Sequence, residues 1–80
     1  MSENTSQKFK PGERFNLLGI KNYRAEAYEE AISYFDKALA QQPRDLFYYN
    51  KGNALQQYGK LEEAIETYSK ALELTPTHMK

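Results

Sequence analysis

The chain has 80 residues, enough for one domain near the small end of what a single apolar core can stabilise. Its 11 basic and 11 acidic side chains cancel, so no net field draws it to nucleic acid or to an anionic membrane. It has no cysteine, which excludes disulfides and thiolate chemistry, and no apolar run near the roughly 18 residues that a membrane span needs.

Met1 to Lys10 is polar, aperiodic and without the apolar stretch of a secretory signal; residues 1–11 read as a mobile tail. Pro11-Gly12-Glu13 marks a helix start, with proline pre-setting the backbone and glutamate near the positive end of the dipole. Phe15, Leu18, Asn22 and Ala25 then recur at helical spacing, which predicts a first helix from Glu13 to Ala25. Tyr28, Ala31, Ile32, Phe35, Ala38 and Leu39 form the apolar stripe of a second helix. Gln42-Pro43 ends it, because the residue before proline is pushed out of helical geometry.

Asp45 is placed to cap a third helix with its carboxylate. That helix carries Leu46, Tyr48, Tyr49, Gly52, Leu55 and Gln56, and Tyr58-Gly59 closes it with glycine in the left-handed position. Leu61, Ala64, Ile65, Tyr68, Ala71 and Leu72 repeat the earlier stripe in a fourth helix, and Thr75-Pro76 stops it. Four helices joined by loops of about three residues pack as antiparallel hairpins. With 40% hydrophobic residues the body of the chain is too apolar for disorder, so the plain reading is a soluble, cytoplasmic, all-α domain.

The second and fourth stripes agree because the chain repeats itself. Gly19–Pro43 and Gly52–Pro76 align without a gap and share 9 of 25 positions, each match lying 33 residues from its counterpart. The pairs are Gly19/Gly52, Glu29/Glu62, Glu30/Glu63, Ala31/Ala64, Ile32/Ile65, Lys37/Lys70, Ala38/Ala71, Leu39/Leu72 and Pro43/Pro76, with Phe35 facing Tyr68. A fixed period of this size marks stacked repeats, each burying its apolar face only against a neighbour.

Phe15, Leu18-Gly19, Ala31, Phe35, Ala38 and Pro43, with Tyr48, Lys51-Gly52, Ala64, Tyr68, Ala71 and Pro76 in the second copy, resemble the tetratricopeptide repeat (TPR). The resemblance implies two helix-turn-helix hairpins in a short right-handed solenoid, with repeats over 12–44 and 45–78. The small residues at Gly19, Gly52, Ala31 and Ala38 then let paired helices approach closely. Three departures stand out. The period is one short of the family's, Lys51 replaces the expected leucine, and Glu26 stands where the second copy has Gly59. A non-glycine left-handed residue costs about 1 kcal/mol, so the first turn is either strained or built differently.

The same resemblance implies a function: binding an extended peptide or a partner helix on the concave face of the first helix of each pair. Carried onto this chain, that face comprises Asn16, Ile20, Tyr23 and Arg24, then Tyr49, Asn50, Asn53, Gln56 and Gln57. Amides and phenols suit the reading of a peptide backbone. Some members of the family clamp a C-terminal carboxylate, and Asn50 holds one such place. Asn16 and Ile20 stand where that clamp needs lysine and asparagine, and its third repeat is missing, so no clamp is expected.

Other chemistry finds no support. His78 has no second imidazole or thiolate to share a metal with, so no metal and no cofactor is expected. Glu29-Glu30 and Glu62-Glu63 are adjacent residues at helix starts, where they favour the dipole instead of forming an acid–base pair. No phosphate loop, nucleophile elbow or zinc-protease motif occurs, and an enzyme is not expected. The partner is a protein or peptide, with neither nucleic acid nor membrane. A chain ending soon after Pro76 leaves the last repeat uncapped, with Leu55, Leu72 and Leu74 as its open face. The alternative function is therefore a homo-oligomerising or scaffold element working through that face.

Overall fold

The computed structural model of the chain describes residues 10–75. They form four α-helices, α1 (Glu13–Arg24), α2 (Tyr28–Gln41), α3 (Asp45–Tyr58) and α4 (Leu61–Leu74), with no strand among the described residues. Most of the expected N-terminal tail, and His78, lie outside the described residues. Linkers of two or three residues reverse the chain after each helix, giving antiparallel neighbours. Each helix packs on the ones before and after it; α3 also brushes α1, while α4 reaches neither α1 nor α2. Packing confined to neighbours is the signature of a stacked array.

The two hairpin turns are the same motif in spite of their different residues. In the first, the Glu26 amide donates to the Tyr23 carbonyl at 2.9 Å and the Ala27 amide to the Asn22 carbonyl at 2.9 Å. In the second, Gly59 donates to Gln56 at 3.1 Å and Lys60 to Leu55 at 2.9 Å. Both are the paired bonds of a Schellman cap, which requires a left-handed residue. Gly59 supplies it at φ 95° and Glu26 at φ 62°. Between strain and a different turn, the chain has taken strain.

The close approaches fall where the small residues are. A Cβ on Gly19 would sit 2.6 Å from Cδ1 of Phe35, and one on Gly52 would sit 2.7 Å from Cδ1 of Tyr68. Ala31, Ala38, Ala64 and Ala71 are all buried. The core is centred on Ala31, Phe35 and Ala54, with Ile20, Tyr23 and Ile32 packed around it.

Two expectations are corrected. Asp45 is the first helical residue instead of the cap: Arg44 stands before the helix, and the Asp45 carboxylate accepts from the next amide, of Leu46, at 2.7 Å. On α3 the buried residues are Phe47, Gly52, Ala54 and Leu55, whereas Leu46 and Tyr49 are exposed. A single apolar stripe fails here because α3 lies between α2 and α4 and is buried on two sides.

Candidate functional site

Two clefts flank α3. The first lies between α1 and α3, with Phe35 of α2 behind it. Ile20, Tyr23 and Arg24 line one side, Asn50 and Asn53 the other, around about 240 Å³. These five residues come from the expected concave set, and the helical spacing of three and four sets Ile20, Tyr23 and Arg24 together on the last turns of α1. Tyr23 is set edge-on to Tyr28, with ring centroids 5.6 Å apart. Arg24 is exposed and is the cleft's one cation.

The amides at this cleft are partly committed. Asn50 Nδ2 donates to Asn16 Oδ1 at 2.9 Å, and Asn16 is only 6% exposed. Asn16 is thus a strut beneath the concave face that ties α1 to α3. The Tyr68 hydroxyl lies 2.5 Å from Asn53 Oδ1 and 3.1 Å from Gln56 Oε1. A phenol has one proton, and the shorter contact to Asn53 takes it. Burial pushes the Tyr68 phenol above its ordinary value, with the phenols of Tyr49 and Tyr23 adding to the rise. Tyr28 is raised too, by burial and then by the Glu26 carboxylate and Tyr23. Gln56 and Gln57 are exposed on the outer turn of α3.

The second cleft lies between α3 and α4, holds about 430 Å³, and is walled by Leu46, Tyr49, Tyr68, Ala71 and Leu72, with Asp45 and Thr75 at its edge. The Thr75 hydroxyl, which donates to the Ala71 carbonyl at 2.8 Å, lies 3.2 Å from Asp45 Oδ2 across that edge. Tyr49, expected on the concave face, lines this second cleft, its ring 5.7 Å from that of Tyr68. Leu72 and Leu74 are exposed as expected. Leu55 is not part of the open face: at 2% exposure it belongs to the core. Leu46 and Ile65 are exposed too, outside the expected open face; Ile65 repeats Ile32 and Leu46 stands opposite Glu13, so comparing the two copies gives no sign of it.

Lys51, the departure from the leucine expected in α3, pairs with Asp36 of α2 at 2.7 Å, and Arg44 pairs with Glu13 at 3.3 Å. Both ion pairs hold the second hairpin on the first. No three potential metal-ligating side chains cluster among the described residues. No helix among the described residues is long and apolar enough to cross a membrane.

Helical hairpins stacked so that each helix packs chiefly on its neighbours in the chain define a helical-repeat protein. The tetratricopeptide-repeat description matches residues 23–47 and again residues 46–78. The chain belongs to the tetratricopeptide-repeat family. It is 43% identical over 49 residues to a TPR repeat-containing protein of Methanocaldococcus jannaschii, covering 61% of this chain and 9% of that one. It is 36% identical over 64 residues to a peroxisomal targeting signal receptor of Candida albicans, covering 79% of this chain and 11% of the receptor. It is 33% identical over 63 residues to an Hsp70-Hsp90 organising protein of Plasmodium falciparum, covering 78% of this chain and 25% of that one. The chain thus spans about a tenth of the length of the first two relatives. No solved structure matches it.

Proposed function

We propose that the chain is a non-enzymatic, cytoplasmic protein–protein interaction module that binds an extended peptide or a partner helix in the cleft between α1 and α3. The observation that carries this reading is the convergence of Tyr23, Arg24, Asn50 and Asn53 from two helices on one apolar-floored cleft. Aromatic faces supply contact area there, and amides and a guanidinium supply donors for backbone carbonyls and carboxylates. The names of relatives, a targeting-signal receptor and an organising protein, agree with a module that engages other polypeptides.

Peptides selected from a displayed library against the full chain test it. Replacing Arg24→Ala together with Asn53→Ala, which removes polar groups and no core side chain, should weaken the selected peptides by tenfold or so, about 1.4 kcal/mol. Equal affinity for chain and variant would remove the concave cleft as the binding site. The second reading, a self-associating scaffold, is favoured by the exposure of Leu72 and Leu74. Sedimentation across a concentration series decides it.

A further inference from the structure

The repeat provides its own measure of how the cover of its two copies differs among the described residues. Residues 33 apart hold equivalent places, and among the described residues a following helix, α3, covers α2 of the first copy while none covers α4 of the second. Beneath α3, Ile32 and Leu39 are half-buried and Phe35 is closed off. Their counterparts Ile65 and Leu72 are 63% and 72% exposed. The difference outlines the footprint of one more helix on α4. At its centre is the cleft between α3 and α4. Its residues Ala71 and Asp45 are the counterparts of Ala38 and Gly12; a Cβ on Gly12 would sit 2.7 Å from the buried Phe47 ring, so the Asp45 side chain narrows that edge of the seat in the second copy. This cleft is the second copy's version of the seat that Phe47 fills in the first.

A second copy of the chain is a poor occupant. Docked through α1, it would place Arg14 and Lys21 where α3 has the fully buried Phe47 and Ala54, and burying those charges is costly. Docked tail to tail, it would oppose two α4 helices, each with four glutamates against the single Lys70. Like charges facing one another reject such a pairing.

We propose that the cleft between α3 and α4 docks a basic amphipathic helix of a partner protein, anchored by one aromatic side chain. The seating of α3 on α2 sets the pattern. The aromatic takes the place of Phe47. Three residues on, Asn50 meets Asn16, whose counterpart is Tyr49, so the partner carries an apolar residue there. Four residues on, Lys51 meets Asp36, whose counterpart Ser69 lies in one helical row with Glu66 and Glu73. A lysine or arginine at that place reaches these carboxylates. Seven residues on, Ala54 packs in the core with Phe35, and the counterpart of Phe35 is Tyr68, so a small residue is required. The acidic α4 draws a helix of this kind to an apolar seat.

This inference rests on the cleft between α3 and α4 and is independent of the concave-cleft reading. The probe is a helix-stapled peptide of residues 44–58 carrying Asn50→Leu, with the staple between positions 52 and 56, away from the docking residues. Anisotropy of the labelled peptide with the full chain should show binding that weakens with salt. Leu72→Asp in the chain, or Phe47→Ala in the peptide, should each weaken it about tenfold or more. Lys51→Glu in the peptide should weaken it and reverse its salt dependence. Arg24→Ala in the chain, which removes the concave cleft's cation and touches no wall of this one, should leave it unchanged, which separates the two sites. The proposal is overturned by no binding at ~1 mM peptide, by binding indifferent to Leu72→Asp, or by a chain dimer that Leu72→Asp dissolves.

Discussion

Glu26 and Gly59 occupy one left-handed position in two copies of the same turn, so they form an internal control. A Cβ at Gly59 would meet nothing within 4 Å, so its substitution tests backbone strain alone. Gly59→Ala should cost about 1 kcal/mol, and Glu26→Gly should recover up to about 1 kcal/mol, less the entropy that glycine adds to the unfolded chain. Thermal melts check both; each kcal/mol shifts the midpoint of so small a domain by several degrees. Tyr68 is the second informative residue. Its folded-state pKa lies above the ordinary value near 10, so the unfolded chain releases the proton first. The stability held by the neutral phenol is complete below that value and is lost as pH rises through the folded pKa. Urea denaturation from about pH 8 upward should show a shallower alkaline fall in Tyr68→Phe, with a loss near neutrality of about 1 kcal/mol for the hydrogen bond to Asn53.

At the scale of the elements, α3 carries the structure. It is buried on both sides, pinned through Phe47 and Ala54 and through the Lys51–Asp36 pair. Phe47→Ala should cost about 3–5 kcal/mol, a large part of a typical small domain's stability, and circular dichroism would show the loss of helix. Overpacking the hairpins acts differently. A leucine at Ala31 or Ala64 has no space against the paired helix, and either change should cost roughly 1–3 kcal/mol in denaturant titrations. Lys51 also shows why a departure from a family pattern need not be a defect. The leucine place is filled by a cation because Asp36 stands across the interface to receive it.

For the whole molecule, neighbour-only packing means that the two ends are not alike. At one end α1 presents Arg14, Lys21 and Arg24; at the other α4 presents four glutamates beside an apolar cleft. The net charge of zero conceals this separation. Because Leu72 is exposed, Leu72→Asp should change the stability of the chain by less than about 0.5 kcal/mol while removing whatever docks on that face. A melting curve and a binding titration on the same variant separate the two effects.

Much of this could be read before any fold was known. Periodicity, proline stops and the 33-residue repeat located four helices, since helical spacing and chain breaking are local properties of the backbone. Gly19 and Gly52 announced close contacts in the same way. Where a side chain points once a helix has two neighbours is not a local property. Phe47 and Leu55 disappeared into the core, Tyr49 turned from the concave face to the other cleft, and Asn16 sank beneath the site it was expected to line. Each outcome depends on which helix comes to lie alongside, and that is settled by packing between segments far apart in the chain, not by the residues on either side.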